Sequence, residues 1–388
     1  MEKKIGILSI AITVIMLGFG MVIPIFPFYI ERMGATAKDL GFLLAIYSLM
    51  QLFLSPVWGS LSDKYGRKPI LIVGLIGNGL TAILFGLSTE LWMLFVARSL
   101  SGLLSSATLP SAMAYISDST TDKERGGGMG ILWAASGLGM ILGPAFGGWL
   151  GSDSLSLPFF IAGFMSFVSV LLVIIFLPES LNIEIRKSNK SVRTIELKEI
   201  WTSLSTPIGI LLLMSFLVSF GLSSFEGIYG LYALEKFGYG TKMVGTIFMT
   251  IGIVSTVTQG ILTGPLTKKY GELSIVKISL VLSSISFILL TIAYNFPLIL
   301  LTTGFFILSN ALLRPTVASI ISKTKYMANG KVMGLNNSYM SLGRVIGPIW
   351  AGTLFDINFE LPYISGSLIM LIGFLVIVCF LSKSKINS

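Results

Sequence analysis

Of the 18 acidic residues in this chain, Glu226 alone falls deep inside an apolar stretch; the others sit in polar breaks or at the ends of apolar runs. Three arginines share its kind of setting: Arg98, Arg314 and Arg344. A charge in an apolar medium is costly, so such a group is either paired or has a task. Burial disfavours an ionised carboxylate, which leaves Glu226 two readings. It takes up and releases protons near neutral pH, or it is fixed in an ion pair. Arg98 and Glu226 each stand seven residues from the near end of their apolar runs. At 1.5 Å per residue both lie about 10 Å inside. A salt bridge between them would tie two distant parts of the chain together and weaken when Glu226 is protonated; whether they touch is left open.

Other chemistries are excluded by what is missing. The chain has no histidine, so histidine general bases and the usual zinc sites are ruled out. Cys379 is the only cysteine, and no intrachain disulfide can form. No phosphate-cradling glycine-rich loop with its lysine is present, so ATP is not the energy source. There are no paired carboxylates and no nucleophile with a base, which argues against an enzyme. No cofactor and no metal are expected.

The setting of these charges is a membrane. The 388 residues are 54% hydrophobic and only 12% charged, against about 25% charged in soluble domains. A spanning helix needs about 20 mostly apolar residues. Twelve such runs are read, at 5–28, 41–62, 70–89, 91–117, 126–150, 157–178, 206–233, 243–266, 273–294, 297–322, 331–355 and 361–381. The fold class expected is therefore all-α, a twelve-span membrane protein. The first run resembles a signal peptide in its Met-Glu-Lys-Lys start, but it continues through Pro24 and Pro27 without a small-residue cleavage site and is read as an uncleaved span.

Positive charge orients the spans. With the amino terminus inside, cytoplasmic segments hold 19 Lys and Arg, while outer loops hold four: Arg32, Lys38, Lys236 and Lys242. Both termini are expected in the cytoplasm. The net charge of +9 is thus a topology signal. Its spread over short segments does not support a nucleic-acid partner.

The longest polar stretch, Pro178 to Thr206, divides the runs into six plus six. It is read as a solvated tether in which 194–201 could form a short interfacial helix. The expected domains are an N-terminal six-helix bundle over 1–180, a cytoplasmic linker over 181–205 and a C-terminal bundle over 206–388. The halves repeat. Gly59-Ser-Leu-Ser-Asp-Lys-Tyr-Gly66 returns as Gly264-Pro-Leu-Thr-Lys-Lys-Tyr-Gly271, an offset of 205. Gly139-x-x-x-Gly143-Pro144 with Gly148-x-Leu150 returns as Gly343-x-x-x-Gly347-Pro348 with Gly352-x-Leu354, an offset of 204. Two matches at nearly one offset indicate a duplicated six-span unit, an architecture of transporters whose substrate site lies between the halves near the midplane. In span five, Gly139, Gly143, Gly147 and Gly148 make a smooth face on which another helix can lie very close. Pro144 removes a ladder bond there and invites a bend.

On these residues the chain resembles the major facilitator superfamily, and within it the twelve-span drug:proton antiporters of the Gram-positive multidrug and quinolone-resistance type. The resemblance runs from the first span to the last. Gly59 to Lys68 resembles the superfamily loop between spans two and three. Leu94-x-x-x-Arg98-x-x-x-Gly102 resembles the fourth-span motif, and Gly137 to Gly148 the antiporter motif of span five. Leu17-Gly18-x-Gly20-x-x-x-Pro24-x-x-Pro27 resembles the first-span motif of twelve-span exporters. Ser219-Phe-Gly-Leu-Ser-Ser-Phe-Glu226 is similar to the seventh span of the multidrug branch. There are two departures. The branch usually has an Asp three residues before Arg314-Pro315, where this chain has Ala311 beside Asn310. Arg344 replaces what is commonly a neutral polar residue.

The resemblance implies roles. Glu226 and Arg98 are proton-coupling residues. Asp63, Arg67 and Asp118 form a cytoplasmic latch, since a charge pair at a closing seam must break for opening. Gly139, Gly143, Pro144, Gly147 and Gly148 are the antiporter motif. Substrate-binding candidates are Arg314, Arg344, Asn310, Asn336, Asn337, Phe225, Tyr229 and Tyr339; Tyr47, Trp133, Phe305 and Phe306 are further aromatic candidates. With Arg98, the two other arginines make three cations against one carboxylate. That balance favours neutral, zwitterionic or partly anionic compounds over dications, unless the arginines snorkel or bond carbonyls. The function expected is a proton-coupled exporter of small amphipathic compounds in a bacterial inner membrane, working as a monomer by alternating access. The alternative is a metabolite or sugar transporter of the same fold; a flippase or membrane-embedded enzyme is the more distant class.

Overall fold

The computed structural model of the chain describes residues 2–181, 197–324 and 329–381. Most of the expected linker, 182–196, lies outside them. The described residues are almost entirely helical and contain no strand. Eleven helical stretches are long and apolar enough to cross a membrane. A twelfth helix, Asn329–Phe355, is 27 residues long; Asn336, Asn337 and Arg344 keep it more polar than the rest.

The first span is α1 (Glu2–Val22) followed by α2 (Phe26–Arg32). Pro24 and Pro27 cannot donate to the helical ladder, and the break falls there. Then come α3 (Ala37–Tyr65) and α4 (Arg67–Leu87). Only Gly66 separates them, at φ 113°, a conformation open to glycine. The fourth span is α5 (Leu91–Ser105) and α6 (Thr108–Ser119), followed by α7 (Asp122–Gly151) and α8 (Leu157–Phe176). The second series is the short α9 (Leu197–Ser203), α10 (Gly209–Phe237), α11 (Thr241–Val257), a π-helical turn at Thr258–Leu262, α12 (Thr263–Tyr270), α13 (Glu272–Ile292), α14 (Phe296–Ser322), α15 (Asn329–Phe355) and α16 (Leu361–Leu381).

Lipid is the solvent for much of the surface. On α8 the exposed residues Phe160, Phe164, Val168, Leu171 and Ile175 recur every three or four positions and form one apolar stripe. Trp92, Trp149 and Tyr294 are exposed at helix ends, the aromatic placement expected at a membrane interface.

The chain forms two compact units. The first comprises Met1–Ala35, Ile46–Ile195 and Tyr239–Met249; the second comprises Thr36–Ala45, Glu196–Gly238 and Thr250–Ser388. In the first, Leu8, Ile12 and Ile15 of α1 pack with Leu75, Tyr115, Leu132 and Val173 from four other helices. The repeat recurs as packing. In the first unit a Cβ on Gly143 would meet the Leu17 carbonyl at 2.5 Å and Gly20 Cα at 2.8 Å. In the second, a Cβ on Gly343 would meet the Phe216 carbonyl at 2.5 Å and Phe220 N at 2.7 Å. The glycine face of span five thus lies on span one, and that of span eleven on span seven, backbone against backbone.

The last glycine of each motif makes a second contact of the same kind. Gly148 faces Gly245, and the Thr241 hydroxyl donates to the Gly148 carbonyl at 3.0 Å. Gly352 faces Ala37, while Asp356 accepts from the N–H groups of Ala37 and Lys38 at 2.9 and 3.1 Å. This explains why the starts of α3 and α11 group with the other half's helices.

Candidate functional site

The loop after α3 builds the first constellation. Asp63 and Arg67 are four residues apart across the Gly66 turn, and Asp118 ends α6. Arg67 Nε donates to Asp118 at 2.7 Å, and its Nη1 bonds Asp63 and, at 3.4 Å, Ser62. Arg67 is 8% exposed. The three residues grouped by sequence are therefore joined through one guanidinium.

Glu179, which sequence reasoning passed over, completes this corner. Its carboxylate accepts from the backbone N–H of Arg67 and Lys68 at 2.9 and 3.2 Å, and from those of Ser180 and Leu181 at 2.9 and 3.1 Å. A helix start leaves N–H groups without intrahelical partners and carries partial positive charge. Glu179 satisfies two of them at the start of α4, next to the ion-paired arginine. A lone acidic residue directly after the sixth apolar run was the available signal.

The second unit holds a related cluster. Lys323 bonds Glu272 at 2.7 Å, and the Ser319 hydroxyl donates to the same carboxylate oxygen at 2.5 Å. Glu272 follows Gly271, whose φ is 80°, as Arg67 follows Gly66. Shifting Asp63, Arg67 and Asp118 by the repeat offset of 205 gives Lys268, Glu272 and Lys323. Every charge is reversed. The offset was visible in the sequence, but a search for matching residue types overlooks matching pairs of opposite sign.

Arg98 projects from α5 in the first unit and is 6% exposed. Its guanidinium carbon stands 4.8 Å from the Phe26 ring centroid and 4.4 Å from that of Tyr47. Such cation–π contacts hold a cation where ordinary solvation is lost. Its Nε has no hydrogen-bond partner among the described residues.

Glu226 belongs to the second unit and is half-buried. The charges acting on it come from Arg314 on α14 and Arg344 on α15. The Ser223 hydroxyl donates to the Gly343 carbonyl at 3.1 Å and that of Ser224 to Gly347 at 3.0 Å. These bonds fix α10 on α15 immediately below Glu226. On the other side, the Phe225 and Phe306 rings pack at a tilt of 41° with centroids 4.5 Å apart, and the Tyr229 hydroxyl lies 3.1 Å from that of Thr303.

The remaining candidates divide by burial. Asn310 is 3% exposed; its amide donates to Ser283 and to the Phe306 carbonyl, while its oxygen has no hydrogen-bond partner among the described residues. Asn336 accepts from Ser215 at 2.6 Å. Tyr339 bonds the Ile200 carbonyl at 2.7 Å and Ser203 at 3.0 Å, anchoring α9. These three join helices within the second unit, as do Phe225 and Tyr229. Asn337 and Arg314 are exposed, and Arg344 and Phe305 are half-buried. Trp133, in the first unit, is exposed.

The sequence profile of the Major Facilitator Superfamily matches residues 8–324 and 211–388. The chain is 33% identical over 375 residues to "Multidrug resistance protein 2" of Bacillus subtilis, covering 96% of this chain and 94% of that one. It is 29% identical over 378 residues to "Quinolone resistance protein NorA" of Staphylococcus aureus, covering 97% and 96%. In three dimensions it superposes on a bacterial homologue of the human lysosomal transporter Spinster with TM-score 0.80 at 12% identity, covering 99% and 98%.

Proposed function

The chain belongs to the Major Facilitator Superfamily, and from that membership we propose that it is a proton-coupled exporter of small amphipathic compounds, a drug:proton antiporter. It is a multi-pass protein of a bacterial membrane. Its relatives over nearly the full length are multidrug and quinolone resistance proteins, which supports outward drug transport. In this reading both termini are cytoplasmic, the chain acts as a monomer without a cofactor or enzymatic step, and the two six-span bundles flank a cytoplasmic linker.

The observation that carries the coupling is the isolation of Glu226. It is the sole carboxylate deep within an apolar run, and the charges that act on it are those of Arg314 and Arg344 in its own unit. A proton arriving from outside neutralises it as the substrate leaves; a substrate entering from the cytoplasm favours the ionised form. One elementary charge moved across 100 mV supplies about 2.3 kcal/mol, roughly a fifty-fold concentration ratio. Arg98 is the second proton-coupling residue, and Asp63, Arg67 and Asp118 form the latch that opens and closes with the cycle.

The test uses everted vesicles with an imposed pH gradient. Wild type should export substrate in proportion to the gradient. Glu226→Gln should bind substrate but lose gradient-driven export. Fully gradient-driven export by that variant would move the proton site elsewhere, with Asp118 and Asp63 next in line.

A further inference from the structure

Span four is interrupted where its counterpart in the repeat, span ten, is not. α5 ends at Ser105 and α6 begins at Thr108, whereas α14 runs unbroken from Phe296 to Ser322. A proline stands at the same place in both, since Pro110 and Pro315 differ by the repeat offset of 205. Each lacks the N–H that a helix gives to the carbonyl four residues back, so proline alone does not account for the difference. Two neighbours do. The Leu103 carbonyl accepts from Trp58 Nε1 of span two at 2.6 Å and from the Ser106 hydroxyl at 2.9 Å, while the Ala107 N–H turns to the Leu104 carbonyl at 3.2 Å. On span three, Gly74 and Gly77 lie against Thr108 and Leu104, so closely that neither glycine has room for a Cβ. The same offset leads from Trp58, Gly74 and Gly77 to Thr263, Ser279 and Leu282. The Thr263 hydroxyl donates within its own span, to the Thr258 carbonyl at 2.9 Å. Span ten is thus offered neither an indole N–H for a released carbonyl nor a bare surface to receive a bent turn.

We infer that residues 105–108 are a hinge with two arrangements, and that Trp58 is the positioning residue that holds the bent one. In the bent form the Leu103 carbonyl is bonded by Trp58, and the Thr108 hydroxyl, 3% exposed, has no hydrogen-bond partner among the described residues. In a straight form the Ala107 N–H returns to Leu103 and the Thr108 hydroxyl reaches the Leu104 carbonyl four residues back, while the indole N–H is released. Each form satisfies a group that the other leaves unpaired. A single hydrogen bond contributes only modestly to a net balance, so the two forms lie close in free energy. Arg98 stands seven residues before the hinge and Asp118 ten residues after it. The segments that carry them can therefore tilt separately. The part this plays in transport, carrying movement at Arg98 to the Asp118–Arg67 ion pair, rests on the exporter reading; the two arrangements do not.

Spin labels at Trp92→Cys and Ser119→Cys, in a Cys379→Ser background, measure the ends of span four in the full-length protein held in lipid discs. A straight helix places these positions about 40 Å apart, and a bent one brings them closer. The unsubstituted hinge should show both distances, the shorter one dominant. Trp58→Phe keeps a ring and removes the N–H; it should shift the ratio toward the longer distance about tenfold, the weight of one hydrogen bond. Pro110→Ala, which restores an N–H for the Ser106 carbonyl, should shift it the same way. A packing defect would broaden the distances without favouring the longer one. Unchanged distances in both variants, or broadening alone, would overturn the hinge. Export in vesicles is scored separately: Trp58→Phe should lower the maximal rate with KM unchanged. Absence of export by wild type would remove the exporter reading and leave the distances as measured.

Discussion

Arg67 and Glu272 occupy the same place in the internal repeat and carry opposite charges. Each directly follows a glycine with positive φ, and each is ion-paired to the equivalent partner: Asp118 at 2.7 Å in one unit, Lys323 at 2.7 Å in the other. The duplicated corner has kept its geometry while its polarity has inverted.

This relationship can be tested by charge reversal. Arg67→Glu alone puts three carboxylates together and should lower stability by about 1–3 kcal/mol. The triple variant Asp63→Lys, Arg67→Glu, Asp118→Lys copies the polarity of the second unit and should recover most of the loss in thermal melting. A triple variant no more stable than the single one would show that the surroundings of the first unit dictate the sign.

Glu179 should matter through the start of α4. Glu179→Ala removes the acceptor for four N–H groups and should cost about 1–2 kcal/mol, the range of a lost helix cap. Glu179→Gln keeps one carbonyl oxygen and should lose less. Melting curves of the three proteins would order them; identical curves would mean that water replaces the carboxylate without cost.

Gly143→Leu should abolish transport while the protein still reaches the membrane, because its first added carbon already falls 2.5 Å from the Leu17 carbonyl. Gly347→Leu should behave alike, since its Cβ would meet Ser223 Oγ at 2.5 Å. Transport assays with parallel immunoblots of membranes decide this. Wild-type transport in either variant would show that the close approach is dispensable.

Arg98→Lys should not substitute for Arg98. Lysine keeps the charge but not the flat guanidinium that lies over Phe26 and Tyr47. Transport should fall at least about tenfold, toward the level of Arg98→Ala, if the stacked plane is what positions the charge. Activity near wild type in Arg98→Lys would reduce its role to net charge.

Orientation is checked with tags on the amino terminus, within 181–205 and on the carboxyl terminus of cells. All three should resist external protease, given the 19-to-4 charge bias. Cleavage at the linker would overturn the twelve-span arrangement.

Much of the fold was legible because lipid imposes so strict a rule. An apolar run of spanning length has to be helical, and the expected limits follow the helices closely from 41–62 against Ala37–Tyr65 to 361–381 against Leu361–Leu381. The proline-rich end of span one was readable as a run but not as a break, since its length concealed two helices. The π turn at Thr258–Leu262 left no mark in residue types. The pairing of Asp63 with Arg67 was legible from their spacing within one loop, and Asp118, from the end of the fourth apolar run, joins them through the Arg67 guanidinium. What burial decides was not legible: Asn310 and Asn336 look like cavity amides in sequence, yet they serve helix contacts to Ser283 and Ser215. Glu179 was visible as an acidic residue directly after the sixth apolar run, but its task was not, because its partners are backbone groups that every sequence possesses.

The two exchanged strips, Thr36–Ala45 and Tyr239–Met249, bear on how the protein is made. A ribosome delivers the first six spans well before residue 239, so the first unit leaves synthesis lacking the strip that Gly148 receives. The start of α3, for its part, waits until Asp356 and Gly352 have emerged, more than 300 residues later. Neither half can finish its own packing from its own translation product. The Gly148 contact waits for the eighth span and the Ala37 contact for the eleventh, and a chain severed in the linker would give two fragments that each withhold a piece the other requires.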